Sequence, residues 1–278
     1  MTDDLLFDEI GYWSEVKLDI IREYAQAYST ILSAQASPRL HHVYIDGFSG
    51  SGVLRSKRTG EFVLGSPLNA LRIVPPFREY FLIDLDGDKV EQLRQQIGDR
   101  PEVHLEAGDC NEILRTRIFP NVRFEQYRRG LCLLDPYGLH LNWQVIEAAG
   151  KLKTIDLFLN FPIMDMNRNA LWRHPENASP ENRARMTAFW GDMSWQNAAY
   201  HTQRTLFGDE NVKAENEEVA SAFGQRLKKV AGFEYVAVPL PMRNTKGAIV
   251  YYLFFASQRP VAEKIVNGIF RKYQGRTG

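Results

Sequence analysis

Apolar and polar positions along the chain follow two periods, and the switches between them lay out an α/β order. Residues 13–35 place Trp13, Val16, Leu18, Ile20, Ile21, Tyr24 and Tyr28 at helical spacing, which predicts a helix with a mostly buried stripe. Ser37-Pro38-Arg39 breaks it. Val43-Tyr44-Ile45 then has the β-branched and aromatic character of a buried strand, and it runs straight into Asp46-Gly47-Phe48-Ser49-Gly50-Ser51-Gly52. Residues 53–65 are polar and glycine-bearing and read as a surface loop. Ser66-Pro67 predicts a helix through residue 73, with the serine as cap and the proline at the first position. Further strands are predicted at 79–84, 103–107, 130–134 and 154–162, with helices at 88–97 and from residue 111. After residue 217 the rhythm gives a helix, strands at 233–239 and 248–257 around a turn at 242–247, and a last helix at 261–273. So short a turn makes the last two strands antiparallel.

The chemistry-bearing residues fall at strand ends, where open α/β sheets bind their ligands. Gly47, Gly50 and Gly52 free the backbone for a tight turn with no Cβ in the way of a ligand. A dinucleotide fingerprint would read G-x-G-x-x-G with an acid roughly 20 residues on. Here Asp46 precedes the glycines and the loop reads Phe48-x-Gly50-x-Gly52, which resembles motif I of S-adenosylmethionine (SAM)-dependent amino-methyltransferases. Asp84, at the end of the second strand, is the first choice to grip a ribose diol and Asp86 the second, although either could instead cap the next helix. Asp109, after the third strand, stands where such enzymes bind the adenine amino group, or it caps the helix from Asn111.

The fourth strand delivers Asp135-Pro136-Tyr137-Gly138. Acceptors at Asp135 and the Pro136 carbonyl would hold the hydrogens of an exocyclic amine and aim its lone pair, while Tyr137 would stack on the base. The stretch resembles the D/N-P-P-Y motif of adenine-N6 and cytosine-N4 methyltransferases, with one proline missing and the ring a residue early; an ordinary turn is the alternative. Asn160, in Asn-Phe-Pro at the end of the fifth strand, would add a polar group to the same crevice.

From 163 to 220 the character changes to polar, aromatic and basic, with Arg168, Trp172, Arg173, Arg183, Arg185, Trp190 and Trp195. The stretch is too long for a connection and reads as a helical insertion between two parts of one core, 1–162 and 221–278. Its arginines and tryptophans would clamp a polynucleotide or simply pack a lid.

Composition narrows the classes. The 278 residues are 44% hydrophobic, enough for one large core, and 34 basic residues balance 34 acidic ones, so no global field draws the chain to nucleic acid. Cys110 and Cys132 make no disulfide framework, and no spacing suggests a metal site. The acidic start, Met1-Thr2-Asp3-Asp4, and the lack of an apolar run near ~20 residues lead us to expect a cytoplasmic protein with no membrane partner.

Taken together, Tyr44–Gly52, Gly65-Ser66-Pro67-Leu68, Leu134–Gly138, Asn160-Phe161-Pro162 and residues 251–257 resemble the three-Cys-motif partner (TcmP) proteins over about residues 13–273. The resemblance implies a Rossmann-like class I methyltransferase fold, a mostly parallel seven-stranded sheet with a terminal antiparallel hairpin and a helical insertion. It also implies a three-cysteine, radical-SAM-like protein partner. The expected function is methyl transfer from SAM to an exocyclic amine, with a base in nucleic acid as substrate. Asp46, Gly47, Phe48, Ser49, Gly50, Gly52, Asp84 and Asp109 would hold SAM, and Asp135, Pro136, Tyr137 and Asn160 the acceptor, with no metal. A SAM-binding accessory subunit without transfer activity is the alternative. A nucleotide-dependent oxidoreductase is disfavoured by the glycine spacing and the terminal hairpin.

Overall fold

The computed structural model describes residues 8–205, 208–244 and 246–274. Met1-Thr2-Asp3-Asp4, and Thr245 of the predicted turn, lie outside the described residues.

In chain order the elements begin with β1 (Glu9–Ile10), α1 (Tyr12–Ser33), β2 (His41–Asp46), β3 (Val53–Ser56), β4 (Phe62–Leu64), α2 (Ser66–Ala70), β5 (Glu79–Asp84) and α3 (Gly87–Ile97). They continue with β6 (Val103–Ala107), α4 (Cys110–Ile113), β7 (Arg128–Leu134), α5 (Trp143–Leu152), β8 (Ile155–Phe161), α6 (Ile163–Asn169), α7 (Pro180–Trp190) and α8 (Trp195–Ala199). The chain closes with β9 (Tyr200–Thr205), β10 (Gly208–Lys213), α9 (Asn216–Lys229), β11 (Tyr235–Val236), β12 (Leu240–Arg243), β13 (Ile249–Ser257) and α10 (Pro260–Gln274).

The central sheet runs β6-β5-β2-β7-β8-β13-β11, with β12 also paired to β13. From β6 to β8 the pairings are parallel, and β13 is antiparallel to β8, β11 and β12. The sheet is therefore mixed and eight-stranded, which corrects the expected seven. The predicted strand at 233–239 is in fact two short ones, β11 and β12, on either side of residues 237–239. The hairpin expected at the end is formed by β12 and β13.

Strand residues alternate between two buried faces, as a sheet covered on both sides requires. Val43 and Ile45 join one hydrophobic cluster with α5, α7 and α9, while Tyr44 joins the other with α1 and α10. This three-layer arrangement points the C-terminal ends of β2, β5, β6, β7 and β8 to one edge, and the site lies there.

Two other expectations are corrected. Residues 53–65 are a β-hairpin, and β1 adds to it in parallel to make a small second sheet. The stretch 163–220, expected to be helical, holds α6, α7 and α8 but also the β9–β10 hairpin. Its Met166, Phe189, Trp190 and Trp195 are buried in the main core, so two of its tryptophans support the sheet from below and offer no face to a ligand.

Candidate functional site

A single crevice of about 1150 Å³ opens along the strand ends. Gly47, Phe48, Ser49, Gly50, Gly52, Asp84, Asp109, Asp135, Pro136, Tyr137 and Asn160 all line it. Asp46 does not: it is fully buried beneath them.

The glycine loop owes its shape to ladder bonds that continue past β2. The Gly47 amide donates to the Leu133 carbonyl at 3.0 Å and the Ser49 amide to the Ile83 carbonyl at 2.8 Å, so both neighbouring strands pin the loop. Gly50 and Gly52 then take left-handed φ angles of 63° and 90°. A Cβ on Gly52 would come within 2.7 Å of Leu93, whereas one on Gly50 would meet nothing within 4 Å and would project into open space. The turn thus needs glycine at position 52 for packing as well as backbone freedom, and at position 50 for backbone freedom alone. The Ser49 hydroxyl is buried and unpartnered among the described residues.

Asp46 braces this loop from below. One oxygen accepts from the Phe48 amide at 3.2 Å and the other from the Tyr44 hydroxyl at 3.3 Å. Ser66 also bonds to it, so this serine, expected as a helix cap, serves the carboxylate instead; Gly65 occupies the cap position of α2. Burial pushes the Asp46 pKa up to about 7, against these hydrogen bonds and with the Asp135 charge adding to the rise.

Asp84 accepts from the Gly50 amide at 2.8 Å and from the Asp86 amide at 3.0 Å, tying the end of β5 to the loop. A carboxylate has about four acceptor positions, so two stay available to a diol. Asp86 caps α3 by accepting from Asp88 and Lys89, the bland alternative foreseen for it. Asp109 likewise caps α4, accepting from the Asn111 amide and side chain at 2.9 Å each, yet it stays exposed on the crevice wall. Burial pushes the neighbouring Cys110 thiol up to about 12, which leaves it inert as a nucleophile.

At the end of β7, Asp135 is half-buried, Pro136 buried and Tyr137 87% exposed at the mouth. Asn160 is 9% exposed, and its side-chain oxygen has no partner among the described residues. The residue that sequence reasoning missed is Lys17. It sits on α1, is buried, makes a short ion pair with one oxygen of Asp135, and lies 5.1 Å from the centre of the Tyr251 ring. Burial lowers its pKa, but the Asp135 carboxylate, aided by Tyr251 and Asp46, outweighs that and holds it above the ordinary lysine value. The signal was in the periodicity: position 17 falls one turn before Ile20 and Ile21, on the stripe that α1 buries.

The crevice also takes in the chain's N-terminal segment. Asp8, Glu9 and Ile10 line it beside Leu54 and Lys57, and Asp8 is held by Lys89 at 2.5 Å. Among the described residues no three or more His, Cys, Asp or Glu side chains gather as a metal site would require, and no described helix is long and apolar enough to cross a membrane.

These observations define an α/β protein with a crevice at the carboxyl edge of the parallel part of its sheet, a glycine loop on one side and an Asp-Pro-Tyr turn on the other. No family model matches the chain, and no curated protein does. Among solved structures, a Legionella pneumophila protein of family DUF519 matches with a TM-score of 0.55 at 12% identity, covering 93% of each chain. A candidate SAM-dependent methyltransferase from Listeria monocytogenes gives 0.39 at 12% identity, over 86% of this chain and 99% of that one. The plantazolicin methyltransferase BamL, solved with S-adenosylhomocysteine (SAH), gives 0.36 at 10% identity, over 89% and 88%. The first match shows a shared fold over nearly the whole length; the other two scores are too low for a shared fold to follow. Fold does not fix activity, so function rests on the crevice.

Proposed function

We propose that the crevice binds SAM and that the protein transfers its methyl group to an exocyclic amine, with a base in nucleic acid as substrate. The observation that carries this reading is the convergence of the glycine loop, Asp84, Asp109 and Asp135 on one crevice from four strand ends. The residues fit SAM by their donors and acceptors: the buried Ser49 hydroxyl awaits a partner, Gly50 leaves its space open, and Asp84 keeps two acceptor positions. Asp84 and Asp109, which have no ion-pair partner among the described residues, suit a ligand with net positive charge.

SAM, when bound, supplies a methyl group on an electron-poor sulfur. The chain's own residues then have three tasks. Asp84 and Asp109 hold the nucleoside end by accepting from hydroxyl and amino groups. Asp135 and the Asn160 side-chain oxygen accept the amine's hydrogens and so turn its lone pair into the crevice. Lys17 fixes the Asp135 carboxylate through one oxygen and leaves the other for the acceptor. The proton that the amine sheds would pass through this hydrogen-bonded carboxylate towards solvent at the mouth.

A second reading is favoured by a specific observation. The ion pair with Lys17 occupies the carboxylate assigned to the acceptor, and Tyr137 is 87% exposed, as suits an accessory subunit that binds SAM for a three-cysteine, TcmP-type partner. Either role is proposed for a cytosolic protein.

Calorimetry with SAM, SAH and NAD tests the cofactor, and preference for NAD would end both readings. Radiolabelled SAM offered with total DNA, tRNA and rRNA tests transfer. Label in a nucleic acid, lost in Asp135→Ala with SAH affinity kept, is the expected result; binding without labelling, alone or with the partner, would leave the accessory role.

A further inference from the structure

The acceptor side of the crevice is built in two electrically different parts. Its floor offers acceptors. Asn160 and Asp165 each bury a side-chain oxygen with no partner among the described residues, and both line the crevice beside Asp135. Asp165 sits against the Asp-Pro-Tyr-Gly turn so closely that a Cβ on Gly138 would meet its oxygen at 2.7 Å, and its other oxygen accepts from Asn169 at 2.9 Å.

The rim offers cations. Arg168 lies one helical turn after Asp165 on α6, lines the crevice, and has no carboxylate partner among the described residues. Asp165 and Arg168 thus carry opposite charges at a spacing that permits pairing, yet they do not pair. Arg185, from α7, contacts the ring of His140 at 3.0 Å and also has no carboxylate partner among the described residues. The other two arginines once grouped with these behave differently: Arg183 lines a separate shallow depression, and Arg173 lines neither.

We infer that Asp135, Asn160 and Asp165 receive an amine-bearing base while Arg168 and Arg185 receive a phosphate attached to it, so that the acceptor is a nucleotide unit and not a free base, nucleoside or simple amine. Guanidiniums without a carboxylate partner match the fork geometry of phosphate oxygens, and unpartnered buried acceptors call for N–H donors. One ligand has both ends. This inference rests on the proposed methyl-transfer reading of the same crevice. The phosphate has two sources, a free nucleotide or a strand, and the test separates them.

Calorimetry on the full chain, with and without SAH, would compare adenosine, cytidine, guanosine and uridine with their 5′-monophosphates and with a short mixed single-stranded oligonucleotide. At least one amine-bearing monophosphate, or the oligonucleotide alone, should bind about tenfold or more tightly than the matching nucleoside. That advantage should vanish in the Arg168→Gln/Arg185→Gln variant, and uridine and its monophosphate should bind less well than the preferred pair. Asp165→Asn should weaken the preferred nucleoside and nucleotide by the same factor. Circular dichroism and SAH affinity confirm that each variant is folded. Binding confined to the oligonucleotide would identify the strand as the source. A phosphate that adds nothing in the wild type, or an advantage that survives in the double variant, would overturn the inference. Binding of SAH with no phosphate effect sinks this inference alone, whereas a phosphate effect with no SAH or SAM binding sinks the methyl-transfer reading and leaves the anion subsite standing.

Discussion

Lys17 shows how much one side chain can decide. A buried ammonium is costly unless paired, and its partner is the carboxylate at the centre of the acceptor side. It lines the crevice with its ammonium bound to Asp135, so its proposed role is that of a positioning residue acting through this carboxylate. Lys17→Met should therefore lower methyl transfer by about two orders of magnitude while SAH affinity changes little, because positioned acid–base groups contribute on that scale. Lys17→Arg, which keeps the charge, should restore part of the rate. If SAH binding fell in step with transfer in both variants, the lysine would be structural only. Asp84→Ala makes a contrasting case, since this carboxylate holds both the proposed ribose and the Gly50 amide. Its loss should weaken SAM by roughly 1.5–3 kcal/mol, the usual worth of a hydrogen bond to a charged group. Titration calorimetry at one pH measures the affinities, and radiolabel from SAM the transfer.

Among elements, the glycine loop separates two effects that sequence alone runs together. Gly52→Ala puts a Cβ at φ 90° and 2.7 Å from Leu93, so it should destabilise the fold by about 1–3 kcal/mol in urea unfolding. Gly50→Ala meets open space, so its stability cost should stay near the ~1–2 kcal/mol of a left-handed alanine while the methyl obstructs the ligand. A Gly52→Ala protein as stable as wild type would show that the loop repacks. The strands of the sheet were legible because buried parallel strands concentrate apolar, often β-branched residues between turns; Glu79–Asp84 is where the pattern places it. The small sheet was not, because Val53–Ser56 is half polar, Phe62–Leu64 is only three residues long, and the pairing of Val53–Ser56 with Glu9–Ile10 is made across more than forty residues. The lining of the crevice was legible where it comes from strand ends, as in Gly47–Gly52, Asp84 and Asp135. The site was illegible where contact decides a role: Ser66 looked like a cap and bonds Asp46, Asp86 was open between ribose and cap and caps a helix, and Trp190 and Trp195 were open between clamp and lid and are core.

At the scale of the whole molecule, burial of titratable groups couples stability, pH and ligand. Burial pushes Asp46 up to about 7 and Asp156 up to about 6, from an ordinary 3.8. Their neutral forms suit the fold, so the stability they contribute is complete below 3.8 and is lost as pH climbs through 6 and 7. His42 runs the other way. Burial, with the charge of His41, lowers it from 6.5 to about 4, so its contribution is complete above 6.5 and is lost as pH falls toward 4. Near pH 5 the fold therefore holds an extra proton on each of two carboxyls and lacks one on the imidazole. For these three groups stability falls as pH rises from 5 to 7, and urea midpoints for the unliganded protein should fall with it. In Asp46→Asn the slope should flatten, because Asp156 and His42 then nearly cancel. A cation bound above Asp46 would favour its carboxylate, so SAM binding at pH 6 should release protons that Asp46→Asn does not release. Calorimetry in two buffers of different ionisation enthalpy counts them. SAH, whose sulfur is neutral, should release fewer than SAM. Equal release from wild type and Asp46→Asn would mean that the sulfonium does not lie over this carboxylate, and the cofactor would have to sit elsewhere in the crevice.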